Sequence, residues 1–132
     1  ASDVYKRQVL GLAFKPDTDD MREAVSIPIV KSLLAEGATV VVYDPAAMGK
    51  ARTIFQNVVK HARDPIECID GADCCIIVTE WDEFRKIPPR IFAEHMRHPT
   101  VIDGRRIYDA KAFSDAGIQF SAIGLGPSTE QT

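Results

Sequence analysis

The sequence predicts an α/β fold: a doubly wound, mostly parallel, Rossmann-like sheet with helices on both faces. Three observations carry that reading. Short apolar runs alternate with helix-patterned segments along the chain. Cys74–Thr79 reads as an apolar strand, which implies cover on both faces. Charged and aromatic residues gather just after the apolar runs, at what would be one edge of the sheet. Strands separated by helices make βαβ units and a parallel sheet.

The elements follow in order. Val9–Leu12 reads as the first strand. Ile27, Val30, Leu33 and Leu34 recur at helical spacing, and Gly37 follows as a stop. Thr39–Tyr43 is a β-branched run closed by Asp44-Pro45. A weak helix spans Met48–Phe55, and Val58–Lys60 is a short strand. Asp64-Pro65-Ile66-Glu67 predicts a helix start, with Asp64 as cap, Pro65 at the first position and Glu67 completing a capping box. Gly71 ends that helix. Asp82–Lys86 and Arg90–His95 are short helices around Pro88-Pro89. Thr100–Asp103 is a strand, Asp109 caps a helix running to Ala116, and Gln119–Ile123 is the last strand.

The chain has 132 residues, 45% of them hydrophobic. A domain holds about 100–150 residues, so one domain is expected, able to build a core without metal or disulfide. It spans 9–124, followed by a loose tail at 125–132. Residues 1–8, with the polar run Tyr5-Lys6-Arg7-Gln8, read as a non-native leader and are set apart from the fold. The net charge of −3 argues against a strongly basic nucleic-acid binder. The longest apolar runs are about five residues against the roughly 20 a membrane span needs, so no membrane partner is expected. Cys68, Cys74 and Cys75 are too few and too badly spaced for a disulfide framework. They read as small buried hydrophobes in a cytoplasmic protein. His61, His95 and His98 are not grouped as ligands, and no metal site is expected.

Ligands of an open parallel sheet bind outside the carboxyl ends of its strands. Lys15, Arg22 and Arg105 would give that edge cationic donors for an anionic ligand, most naturally a phosphate. The plainer alternatives are a solvated loop lysine for Lys15 and a surface ion pair with Asp19 or Glu23 for Arg22, with a similar surface role for Arg105. Trp81 and Phe84 read as packing residues. A dinucleotide site in its own right is weakly supported. The first turn, Gly11-Leu12-Ala13-Phe14-Lys15-Pro16, has one glycine where the fingerprint needs three. Asp44 stands where a ribose-binding acid would, but reads first as a strand terminator.

Four stretches carry a family resemblance. They are Leu12-Ala13-Phe14-Lys15-Pro16-Asp17-Thr18-Asp19-Asp20-Met21-Arg22-Glu23-Ala24, Val42-Tyr43-Asp44-Pro45-Ala46-Ala47-Met48, Thr79-Glu80-Trp81-Asp82-Glu83-Phe84-Arg85 and Ile102-Asp103-Gly104-Arg105-Arg106. In order and spacing the chain resembles, over about residues 9–124, the C-terminal UDP-binding domain of the UDP-glucose/GDP-mannose dehydrogenase family. The Thr-Glu-Trp and Asp-Gly-Arg stretches favour the branch that oxidises UDP-glucose.

The resemblance implies a nucleotide-sugar dehydrogenase that oxidises the sugar C6 alcohol to a carboxylate in two NAD-dependent steps, through thiohemiacetal and thioester intermediates on a cysteine. Neither the family's Cys-Phe-Pro-Lys-Asp stretch nor its GxGxxG occurs here, so the chain is expected to carry no catalytic residue and to be inert by itself. NAD would be bound mainly by another domain. Phe14, Lys15 and Arg105 match family residues that contact the UDP-sugar, and Arg22 matches one that approaches NAD. Arg106 replaces an asparagine seen in many members and is given no role. The expected partner is UDP-glucose or a related nucleotide sugar, and the full-length parent is expected to be a homo-oligomer. GDP-mannose and UDP-N-acetylmannosamine enzymes, and a stand-alone nucleotide-binding module, are the alternatives.

Overall fold

A computed structural model describes residues 6–11, 21 and 24–123, with the backbone alone for 6–10. Phe14, Lys15, Arg22 and the tail lie outside the described residues. Among the described residues six parallel strands form one sheet in the order β3-β2-β1-β4-β5-β6. They are β1 (Lys6–Leu10), β2 (Thr39–Tyr43), β3 (Lys60–His61), β4 (Cys74–Ile77), β5 (Thr100–Asp103) and β6 (Gln119–Ala122). The helices are α1 (Ser26–Ala35), α2 (Met48–Phe55), α3 (Pro65–Ile69), α4 (Asp82–Arg85), α5 (Pro89–His95) and α6 (Ala110–Asp115). This is the doubly wound Rossmann order, whose direction of winding reverses between β1 and β4.

The period of two along each strand divides the core in two. Val40, Val42, Cys74, Ile76 and Val78 pack with Val30 of α1 and Ala51 and Phe55 of α2. Cys75, Ile77 and Val101 face the other way, against Cys68 and Ile69 of α3, Phe84, Phe92 and Phe113. Cys74 and Cys75 therefore lie on opposite faces, and all four residues of β4 are buried.

Two elements depart from expectation. β1 starts at Lys6 rather than Val9: Lys6, Arg7 and Gln8 pair with Thr39, Val40 and Val41. A parallel ladder is built from backbone groups, so a polar triplet can enter it. At the far edge Val58 belongs to a turn of 3₁₀ helix, Gln56–Val58, and is exposed. The strand begins two residues later, and Val59 takes the buried position. The capping box of α3 is also offset. Asp64 accepts from the Glu67 N–H at 2.7 Å, whereas Glu67 reaches back to the N–H of Arg63, one residue before the cap. Asp109 caps α6 by accepting from the Lys111 N–H at 3.1 Å.

Candidate functional site

The carboxyl ends of β1, β2, β4 and β5 bring together Gly11, Asp44, Val78 to Trp81, and Asp103 to Arg106. Gly11 donates its N–H to the Tyr43 carbonyl at 2.7 Å and has φ +96°. A Cβ there would lie 2.5 Å from the backbone nitrogen of Thr79. The glycine is thus used to press the end of β1 against the end of β4, which places buried Thr79 at the point where the sheet reverses.

Asp44 is wholly buried. Its Oδ1 accepts from the N–H groups of Ala46 and Ala47 at 2.8 and 2.9 Å, and its Oδ2 accepts from Trp81 Nε1 at 3.0 Å. It ends β2, opens the turn into α2 and pins Trp81, so both oxygens are engaged within the protein. Tyr43 donates to Glu83 at 3.2 Å. Burial, followed by the Glu83 carboxylate, pushes its hydroxyl up to about 12. Phe84 is fully buried and meets the Tyr43 ring edge-on at 6.1 Å, a packing residue as expected. With Gly11 packed on Thr79 and Asp44 committed, the described residues do not fit a Rossmann dinucleotide site.

Arg105 is the one sequence-predicted site residue that the described structure places. The Gly104 N–H donates to the Ile77 carbonyl at 3.0 Å and so continues the β4–β5 pairing. Buried Asp103 then folds the turn: Oδ1 accepts from the Arg105 N–H at 3.1 Å and Oδ2 from the Tyr108 N–H at 2.9 Å. Tyr108 donates to the Phe84 carbonyl and packs 4.6 Å from the Phe113 ring, which fixes the far end of the turn. Burial drives its hydroxyl pKa well up. Arg105 Nε donates to the Val78 carbonyl at 2.7 Å, and its side chain is 17% exposed. Its terminal Nη groups have no hydrogen-bond partner among the described residues. Held by Nε and by its backbone, the guanidinium presents two NH₂ groups at the edge, a geometry suited to an oxyanion or hydroxyl pair.

Sequence reasoning assigns no role to Asp103, Glu80 or the Val78 carbonyl. Asp103 carries a local signal, an aspartate two residues before the N–H it accepts. The Val78 contact depends on β4 and β5 being neighbours, which no local pattern states. Cys68 and Cys75 are fully buried, and burial raises both thiols far above their ordinary range. Neither is poised as a nucleophile.

Residues 8–110 match the model of the UDP-glucose/GDP-mannose dehydrogenase family, UDP binding domain. The UDP-glucose 6-dehydrogenase of Rhizobium meliloti is 40% identical over 119 residues, covering 90% of this chain and 27% of that protein. A UDP-glucose dehydrogenase from Pyrobaculum islandicum superposes with a TM-score of 0.74 at 32% identity, over 95% of this chain and 26% of that one. An NDP-N-acetyl-D-galactosaminuronic acid dehydrogenase from Methanosarcina mazei gives 0.77 at 26% identity, over 92% and 25%. The chain spans about a quarter of the length of these relatives. Fold, ordered motifs and matched relatives agree: the chain belongs to the UDP-glucose/GDP-mannose dehydrogenase family, as its UDP-binding domain.

Proposed function

We propose that the chain is the substrate-nucleotide-binding part of an NAD-dependent UDP-glucose 6-dehydrogenase, a cytoplasmic homo-oligomer that converts UDP-glucose to UDP-glucuronate. The observation that carries this reading is Arg105, fixed at the carboxyl edge through Val78 and Asp103 with its Nη groups unpartnered among the described residues. In this reading Arg105, Phe14 and Lys15 hold the UDP-sugar, and Arg22 reaches toward NAD held elsewhere in the longer protein. The cysteine nucleophile lies elsewhere too, which fits the buried thiols of this chain. The catalytic steps therefore belong to residues outside it, and this chain binds and orients the nucleotide. A second reading, an N-acetylated nucleotide sugar as substrate, draws on the Methanosarcina mazei relative, whose superposition is as good as that of the UDP-glucose enzyme.

Calorimetric titration of the full-length protein tests the assignment. Lys15→Ala and Arg105→Ala should each raise the UDP-glucose dissociation constant at least about tenfold, or about 1.4 kcal/mol, and change NAD binding much less. Arg22→Ala should weaken NAD instead. Unchanged UDP-glucose binding in both Lys15→Ala and Arg105→Ala would overturn the site. Preference for an N-acetylated sugar nucleotide would change the substrate and leave the site standing.

A further inference from the structure

Arg105 does not stand alone at the edge. Glu80 Oε1 lies 3.5 Å from Arg105 Nε, with the Glu80 side chain 35% exposed. That nitrogen already donates to the Val78 carbonyl at 2.7 Å, and Asp103 already fixes the backbone. Glu80 is therefore not what anchors the arginine. It is a carboxylate held next to it, and no hydrogen bond from the described residues reaches its oxygens. Its own backbone is constrained on both sides, by buried Thr79 and by Trp81, whose indole is tied to Asp44.

The charge pattern decides what such a pair can bind. A lone guanidinium attracts phosphate, whose oxygens only accept hydrogen bonds and carry negative charge. A guanidinium with a carboxylate at its side has no net charge, and the carboxylate repels a phosphate brought to the same place. The pair does offer donors on Nη and acceptors on Oε within one small area. A hydroxyl both donates and accepts, and so matches it.

We propose that Glu80 is a specificity-determining residue that forms a hydroxyl-recognition pair with Arg105. The pair grips a hydroxyl of the nucleotide sugar, on the ribose or the hexose, and Glu80 keeps phosphate off the guanidinium. The pyrophosphate then falls to cations other than Arg105. This assignment rests on the proposed binding of a nucleotide sugar at Arg105 and names which part of that ligand Arg105 meets.

The test is calorimetric titration of the full-length protein and its Glu80→Gln variant with UDP-glucose, UDP and inorganic pyrophosphate. Glutamine keeps the size and one acceptor and removes the charge. UDP-glucose should bind about fivefold more weakly, the scale of one hydrogen bond, while pyrophosphate binds as well or better. A ribose hydroxyl predicts that UDP weakens alongside UDP-glucose; a hexose hydroxyl predicts that UDP behaves like pyrophosphate. Glu80→Asp, which withdraws the charge without removing it, should weaken UDP-glucose without improving pyrophosphate. Pyrophosphate weakening together with UDP-glucose in Glu80→Gln would make Glu80 a mere support for Arg105 and overturn the proposal, as would unchanged UDP-glucose binding. Arg105→Ala separates the two levels. If it leaves UDP-glucose binding intact, the site itself is wrong; if it weakens binding and Glu80→Gln does not, only the role of Glu80 falls.

Discussion

Each edge of the sheet holds a buried aspartate near an arginine, and the two pairs are wired in opposite ways. At the amino edge Asp73, only 3% exposed at its side chain, takes Arg97 Nε and Nη2 at 2.8 Å each and His98 Nδ1 at 2.8 Å. The guanidinium is spent on the carboxylate. At the carboxyl edge Asp103 is satisfied by two backbone N–H groups, and Arg105 is held through Nε by a carbonyl. Among the described residues its Nη groups have no partner. The same two residue types make a structural clamp where the acid binds the base, and a ligand donor where the acid binds only the turn that carries the base.

Alanine substitutions at the two aspartates should break the comparison furthest. Asp103→Ala removes a charged acceptor from two N–H groups in a packed turn and should cost about 3 kcal/mol of stability. It should also weaken UDP-glucose binding by the full protein about as much as Arg105→Ala, because the arginine loses its backbone clamp. Asp73→Ala should cost less, about 1–2 kcal/mol, since Arg97 and His98 are more than half exposed and can be rehydrated. It should leave UDP-glucose binding unchanged. Denaturant unfolding and ligand titration of both variants read the two effects separately. Equal losses of binding would show that the edges are not functionally distinct.

Backbone strain gives a smaller contrast. Arg106, beside the open arginine, has φ +58°, and Gln56, at the end of α2, has φ +51° and ψ −128°. The first φ lies in the left-handed region that asparagine tolerates better than arginine. The second suits glycine almost alone. Gln56→Gly should stabilise by about 1 kcal/mol and Arg106→Asn by about 0.5 kcal/mol, with unchanged ligand affinity. A shift of the denaturation midpoint to lower denaturant in either variant would contradict this.

The contrast between the edges also separates what was legible in the sequence from what was not. Thr39–Tyr43, Met48–Phe55 and Thr100–Asp103 form elements on the bounds that their patterns give, because local periodicity and burial agree there. Lys6–Gln8 does not read as strand, since pairing in a parallel ladder is a backbone property that leaves no apolar mark. Val58 read as strand from its type, but the chain turns at Gln56 with a positive φ and sets Val58 in solvent. Arg105 was legible from its motif and position. The partners that decide its chemistry were not. Val78 meets it only because β4 pairs with β5, and Glu80 stands beside it from a different strand end. The Asp73–Arg97–His98 clamp likewise joins residues 24 and 25 apart in sequence.

The smallest effect concerns a third arrangement, in which one carboxylate binds both a backbone N–H and a guanidinium. Glu67, in the first turn of α3, accepts from the Arg63 N–H at 2.6 Å and from Arg63 Nη2 at 3.0 Å. The side-chain bond to Arg63, followed by the backbone one, holds its pKa below the ordinary 4.5. A carboxyl with a depressed native pKa binds fewer protons when folded than when unfolded, so stability rises with pH across the interval between the two values. The contribution is complete above about pH 4.5 and fades as pH falls through the native value. Because the pair is exposed, added salt should shrink it further. Denaturant unfolding of the parent chain and Glu67→Gln, followed from neutral pH downward, should give a small stability difference that closes at the acid end. A difference of constant size at every pH would mean that the backbone contact alone matters and that the charge on Glu67 contributes nothing.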